Sequence, residues 1–439
     1  MHTYVGEVID LTDPSLNRLD GLTLDDARAR VNSGDPAAVR AIGGSFAIVA
    51  KDGETVRIAR SLDRPIRFFL AKKVEGPALV VAERIDAIHE WLKTNGFNDQ
   101  FNPAYTRMVP AHYVTTIRLV GCPDPSPSYT RFVVPKPGSL PADVDAIGTA
   151  YVGALYNEVA AWLRRLPTDA PVGVSFSGGV DSGSVFLVVA HAVRTLGLNP
   201  GRLKAFTLDA GDGPDLAQAR AFLDAVDMGL FLEPITASRD AFDVDEVIRV
   251  TEDYKSLDVE CAMMGLALLR GIRARYPEWT HLADGDGGDE NLKDYPIEEN
   301  PELTILSVVN NPLLYQEGWG VGTMKHSLTY SGGLSRSYVR TFAPARHLGF
   351  EGFSPYTRPA LVEVAGSIPW DAVTGYDVPR LYALKGEIVA AGVRAVTGME
   401  MPVFEKRRFQ HGALPEEAMR SALPWTEADY RQRFHAMYV

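Results

Sequence analysis

Cysteine is scarce in this chain: only Cys122 and Cys261 occur, in unrelated contexts and without a CxxC pair. That argues against a disulfide framework and against a thiolate zinc site. Long apolar runs are missing too. No stretch approaches the roughly 20 apolar residues needed to span a bilayer, and residues 1–10 have no basic segment followed by an apolar one. The expectation is a cytoplasmic protein, neither secreted nor inserted in a membrane. Basic charge is also short. Against 56 Asp and Glu stand 44 Lys and Arg, a net charge of −12, which disfavours nucleic acid and anionic membrane surfaces as partners and leaves room for a homo-oligomer.

What the chain has is an ordinary globular composition. Its 439 residues, 46% hydrophobic, suffice for two domains of roughly 150 to 300 residues. Across residues 47–81, short β-like runs (SFAIVA, TVRIA, IRFFLA, ALVVA) alternate with Asp-Gly, Asp-Arg and Glu-Gly turns, and predict a sheet-rich first domain. Few of its polar residues converge on a common motif. A Pro-rich stretch over residues 122–145 reads as a last strand and a linker, so the boundary is placed near residue 140, giving domains 1–140 and 141–439.

Beyond it the pattern predicts a helix over 146–166, an apolar strand at 171–176, a Gly/Ser turn, a helix over 183–196 and a strand at 203–208. Strand, helix, strand implies a parallel sheet with a right-handed crossover, with the connecting turn at the carboxyl edge where open α/β folds bind ligands. That turn is Ser177-Gly178-Gly179-Val180-Asp181-Ser182. Two glycines let the backbone bend tightly and approach a ligand, and the following helix aims its free N–H groups at the same point. Ser177 and Ser182 add hydroxyls. Asp181 would repel a bare phosphate, and makes sense if it holds a magnesium ion that phosphates share. An isolated SGG is more often a capped turn; directly after a buried strand, the whole SGGVDS string favours phosphate binding. It fits neither the Walker loop nor the GxGxxG dinucleotide turn.

A second acidic turn, Asp284-Gly285-Asp286-Gly287-Gly288-Asp289-Glu290, follows another apolar run. Carboxylates crowded this way repel unless a cation sits among them, and the spacing does not fit an EF-hand.

SGGVDS resembles the PP-loop of the ATP pyrophosphatase superfamily, whose members cleave ATP between its α and β phosphates. The acidic turn resembles the SGEGADE segment of asparagine synthetases and β-lactam synthetases, and the resemblance extends over most of residues 145–439. It implies an α/β fold: a parallel-sheet PP-loop synthetase domain preceded by a smaller, degenerate N-terminal-nucleophile glutaminase-like domain of αββα layering. It implies ATP and Mg2+, with Asp181 and Asp289 as metal carboxylates. Ser177, Gly178, Gly179 and Ser182 would cradle the pyrophosphate, Val174 and Leu208 would flank the adenine or ribose, and Gly285 and Asp286 would line the nucleotide side of the acidic turn. Asp284 and Asp286 depart from the family's serine and glutamate, which bears on the substrate pocket.

Thr251-Glu252-Asp253-Tyr254 matches the family's ETYD-like segment, which implies that Glu252 orients or deprotonates the attacking amine. Lys385, in LYALKGEIV, and Lys406, in FEKRRFQHG, match lysines that touch phosphate and the tetrahedral intermediate; a cation where negative charge develops lowers the barrier by several kcal/mol. Gly44-Ser45-Phe46-Ala47 and Arg60-Ser61-Leu62-Asp63-Arg64 resemble glutaminase segments, but that chemistry needs a cysteine at position 2, where this chain has His2.

The resemblance therefore implies an AMP-forming ligase that adenylates a small-molecule carboxylate and closes an amide onto an amine. By analogy with β-lactam synthetases the amine is expected on the same substrate, in specialised metabolism such as antibiotic biosynthesis. The alternative is asparagine-synthetase-like amidation with external ammonia or an amine supplied by a partner. A sulfur-transferring, tRNA-modifying branch would need catalytic cysteines and a basic surface, both lacking here.

Overall fold

The structure, a computed structural model, describes residues 7–74, 76–119, 127–211, 213–237, 242–294, 297–299, 303–311, 338–404, 417, 421 and 423–438. Among the described residues no helix is long and apolar enough to cross a membrane.

The first region is built from β1 (Glu7–Asp10), β2 (Arg18–Leu19), β3 (Gly44–Ser45), β4 (Ala47–Asp52), β5 (Thr55–Arg60), β6 (Arg67–Ala71), β7 (Ala78–Ala82), β8 (Arg107–Met108), β9 (Tyr113–Arg118) and β10 (Ser128–Arg131). They form one sheet of order β1-β7-β6-β8, another of order β10-β9-β5-β4, and the small pair β2-β3. The four runs read from the sequence are β4 to β7. Side chains alternate across a strand, so Ala47 and Val49 meet Val56, Ile58, Leu79 and Val81 between the sheets. Ile48 and Ala50 point the other way, onto Ala27 and Val31 of α1 (Leu24–Ser33), which precedes the short α2 (Pro36–Arg40). Phe69 and Val80 on the far face of the first sheet meet Ile88 and Leu92 of α3 (Ile85–Thr94). The layers are therefore helix, sheet, sheet, helix.

The second region opens with α4 (Val144–Arg165), whose start is capped by Asp143 accepting from Ala146 N–H. There follow β11 (Val172–Ser175), α5 (Val180–Thr195), β12 (Leu203–Asp209), α6 (Asp215–Ala225), β13 (Leu232–Thr236), α7 (Val244–Thr251), α8 (Ser256–Arg275), β14 (His281–Ala283), α9 (Gly288–Leu292), β15 (Glu351–Phe353) and a long helix, Val378–Thr397. The five strands form one parallel sheet of order β13-β12-β11-β14-β15. The chain steps outward from β11 through β12 to β13, then returns to the other side of β11 as β14. The connections after β11 and β14 therefore diverge, and the crevice between them is where such a sheet accepts a ligand. The register pairs Val174 with Ala283, so the Ser-Gly-Gly turn and the acidic turn leave the sheet side by side.

The polar residues of the first region, which converge on little in the sequence, converge strongly in the fold. Glu83 accepts from Arg64 at 2.5 Å and pairs with Arg346 of the second region. In the other direction Glu252 accepts from the N–H groups of Ile85 at 2.6 Å and Asp86 at 3.2 Å, capping α3, and lies 3.4 Å from Arg67. Arg84 answers by donating to the carbonyls of Arg249 at 2.7 Å and Val250 at 3.0 Å, the last turn of α7. Each region thus caps a helix of the other, with an anion at a positive end and a cation at a negative one.

Candidate functional site

β11 is apolar, and Phe176 N–H carries its ladder one step further to Phe206 O at 2.8 Å. The chain then turns at Gly178, whose φ of +72° is open chiefly to glycine. A Cβ there would also sit 2.9 Å from the backbone of Ala219. Ser182 Oγ accepts from Ser177 N–H at 3.2 Å and lies 3.1 Å from Ser177 Oγ, so the two hydroxyls curl the loop around itself. Gly179 is the N-cap of α5 and offers no side chain to the helix's first N–H groups. A 16-residue helix with its positive end uncapped by a side chain is a ready anion receptor.

The acidic turn is pressed onto that same helix end. Gly285 lies so close that a Cβ would be 2.6 Å from Ser182 N, and a Cβ on Gly288 would collide with Asp181 Oδ1. Asp284, buried, accepts from Ser354 Oγ at 2.6 Å and from Asp286 N–H at 3.0 Å, which fixes the turn. Behind it Tyr356 Oη lies 2.6 Å from Ser184 Oγ, and Asn291 donates to Tyr151 Oη at 3.2 Å and Tyr356 O at 2.8 Å. These bonds tie α4, α5 and α9 together around the crevice.

Lys385 enters from the long helix Val378–Thr397, which crosses α4 where Gly148 and Gly392 let the two backbones touch. Its ammonium is 2.6 Å from Asp181 Oδ2, in contact with Asp289 Oδ1, and 3.4 Å from Asp294 Oδ2. Burial alone would push the ammonium's pKa down; Asp181, Asp289 and Asp294 together hold it well above the ordinary value. The two turns therefore converge on one cation.

The remaining carboxylates differ. Asp286 is pushed up to about 8, by burial first and the neighbouring Asp284 second. Its Oδ2 is buried and has no hydrogen-bond partner among the described residues. Asp284 is pushed up to about 6, mainly by burial. Arg340, which donates to Asp258 at 3.0 Å, pulls Asp286 the other way by its charge.

Of the residues singled out in the sequence, Ser177, Gly178, Gly179, Asp181, Ser182, Gly285, Asp286, Asp289 and Lys385 come together here. Gly285 serves close packing of the two turns. Val174 and Leu208 do not pair as expected around a ring: their side chains are buried in the cores on opposite faces of the sheet, where hydrophobic burial holds them. Glu252 is not brought to the cluster. Its carboxylate, its pKa raised by burial and partly held down by Arg84 and Arg67, is used as the cap of α3. Lys406, His2 and Cys122 lie outside the described residues. Neither Asp294 nor Arg340 falls in a motif: Asp294 follows the acidic turn by a few residues, and only the fold brings Arg340 and Lys385 near.

Magnesium fits these residues. The donors are carboxylate oxygens, as a hard dication prefers, and they already converge on a positive charge. Two carboxylates are no closed cage, and among the described residues no group of three His, Cys, Asp or Glu is arranged to hold a metal alone. Phosphate oxygens complete such a shell in nucleotide sites.

A parallel sheet with helices on its connections and a Ser-Gly-Gly turn facing an acidic turn at its carboxyl edge defines an open α/β domain. Within it, residues 159–329 match the family described as Asparagine synthase. The chain is 28% identical over 165 residues to glutamine-hydrolyzing asparagine synthetase 1 of Lotus japonicus, covering 36% of this chain and 26% of that one. It is 26% identical over 175 residues to the nodule glutamine-hydrolyzing asparagine synthetase of Pisum sativum, covering 38% and 27%. The matched segment thus spans about a quarter of the length of these curated relatives. Among solved structures, the U34-tRNA thiolase NcsA from Methanococcus maripaludis with its 4Fe-4S cluster aligns at 12% identity and a TM-score of 0.26, over 66% of this chain and 80% of that one. At that score the likeness carries no weight.

Proposed function

We propose that this chain is an ATP-dependent, AMP-forming ligase that activates a small-molecule carboxylate as its acyl-adenylate and couples it to an amine. The observation that carries the reading is the contact between the Ser-Gly-Gly turn and the acidic turn, with Asp181 and Asp289 meeting at one cation beside an uncapped helix end.

In this reading the N–H groups at the start of α5, with Ser177 and Ser182, receive the phosphates that leave. Asp181 and Asp289 would hold magnesium, which neutralises charge building on the leaving pyrophosphate. Lys385 adds a cation at the same point. The substrate carboxylate oxygen bonds to the α-phosphorus while the bond to the bridging α–β oxygen breaks, releasing pyrophosphate. The amine then bonds to the acyl carbon, AMP departs, and the amine proton passes to a base. Glu252, committed to capping α3, is not that base. The resemblance gives Lys406 the task of steadying the oxyanion. Holding both groups in one crevice supplies much of the rate.

The first region, residues 1–140, is read as a degenerate glutaminase-like domain kept for structure, because Glu83 and Arg84 are committed to holding the second region. The amine then comes with the substrate, as in β-lactam synthetases. External ammonia with a carboxylate such as aspartate is the second reading, favoured by the curated relatives' names. Pyrophosphate release from ATP and Mg2+ over a panel of amino-acid-type carboxylates, with and without ammonium, decides. Release that needs ammonium supports the second reading, and no release with any carboxylate removes both.

A further inference from the structure

Lys385 has three carboxylates around its ammonium, and two of them, Asp181 and Asp289, are the ones that would hold magnesium. Were magnesium to take the oxygens the lysine holds, Asp181 Oδ2 and Asp289 Oδ1, the two like charges would stand at contact distance and repel, so uptake there moves the lysine off both. The third carboxylate, Asp294, is not part of either motif. It lies just beyond α9, its N–H donating to Asp289 O at 3.0 Å, and its Oδ2 is 3.4 Å from Lys385. Its side chain is 10% exposed and that of Lys385 6%, so an ammonium expelled from the two aspartates has little water to turn to.

We propose that Lys385 is the resident cation of the nucleotide-free site, and that Asp294 is the positioning residue that retains it when magnesium takes over Asp181 and Asp289, leaving the ammonium aimed at the phosphates. The lysine neutralises the crowded aspartates while no nucleotide is present, which keeps the two turns in register. It then moves a short way toward Asp294 instead of being lost from the site. Two consequences follow. Without nucleotide the site resists divalent metal, because the lysine competes for its ligands; with nucleotide the phosphates supply the missing ligands and the exchange goes forward. This coupling makes metal and nucleotide bind together, as two ligands acting on one exchange must.

The inference rests on the ATP reading above, and the test separates the two. Mn2+ is titrated into the full chain by electron paramagnetic resonance, with and without α,β-methylene-ATP, in wild type and in Lys385→Met, Asp294→Asn and the double variant. The expected result is that Lys385→Met binds Mn2+ about tenfold more tightly than wild type in the absence of nucleotide, a coupling of ordinary size. Asp294→Asn is expected to bind Mn2+ about tenfold more weakly with the analogue present, with most of that loss gone in the Lys385→Met background and restored by Asp294→Glu. A residue that merely shaped the turn would show the same loss whether or not Lys385 is present. Equal Mn2+ affinity in wild type and Lys385→Met overturns the proposal, as does an Asp294→Asn loss that Lys385→Met leaves intact. Should Lys385→Met fail to fold, Asp294→Asn alone decides: unchanged Mn2+ affinity in its complex with the analogue overturns the assignment. If wild type takes up no Mn2+ with the analogue, the ATP reading itself is gone.

Discussion

Two buried clusters of opposite charges sit in this protein, and they are built for different ends. At the contact between the regions, Glu83 and Glu252 are met by Arg64, Arg67, Arg84 and Arg346, with backbone N–H groups of α3 and carbonyls of α7 taking up the rest. At the crevice, Asp181, Asp289 and Asp294 converge on Lys385, with Asp284 and Asp286 close by. The first cluster satisfies its carboxylates with cations and helix ends from within the chain, and a buried charge satisfied that way is a fastening. The second gathers more carboxylates than its one lysine balances, and such a site favours an added cation.

Removing a carboxylate from each cluster should separate the two roles. Glu252→Ala leaves Arg67, whose side chain is 1% exposed, without its anion, and the expected cost is about 3–5 kcal/mol of folding stability, seen in denaturant melts. Uptake of ATP analogue by the folded fraction stays as in wild type. Lys385→Met acts in the opposite way: pyrophosphate release by the folded enzyme falls on the order of 10²–10³-fold, the size expected when a preorganised charge is lost from a transition state.

Gly288→Ala probes the approach of the two turns. Its Cβ would collide with Asp181 Oδ1, so the turns move apart at a cost of about 1–3 kcal/mol in thermal unfolding, and Mn2+ uptake weakens with it. The smallest effect concerns Asp286. With its pKa raised to about 8 in the fold, it takes up a proton on folding; that contribution is fully present below the unfolded carboxylate value near pH 4 and is lost as pH rises through about 8. In metal-free protein, the stability advantage of Asp286→Asn over wild type should therefore be about 1 kcal/mol larger at pH 7 than at pH 6, between the two values. A gain of equal size at both values would place Asp286 in water instead.

Much of this was open to reading from the chain, for reasons that are local. β11, the Ser-Gly-Gly turn, α5 and β12 are consecutive, so apolar runs and glycines suffice to place them, and the switch-point rule then brings the acidic turn alongside. Glu252 was misplaced because its partners Ile85 and Asp86 are 167 and 166 residues away. By itself it is one more acid after an amphipathic helix. Asp294 was invisible for a similar reason: only the crossing of α4 with Val378–Thr397 brings Lys385 to it. The resemblance puts Val174 and Leu208 beside the nucleotide, but core packing uses their side chains.

The joint identity of the two turns is tested most directly by titrating α,β-methylene-ATP into wild type and Asp289→Asn by calorimetry, each with and without Mg2+. If one site spans both turns, wild type binds the analogue tightly only with Mg2+, and Asp289→Asn loses that metal dependence although it leaves the Ser-Gly-Gly turn untouched. Binding by Asp289→Asn that matches wild type in affinity and metal dependence would show that the acidic turn takes no part in holding the nucleotide.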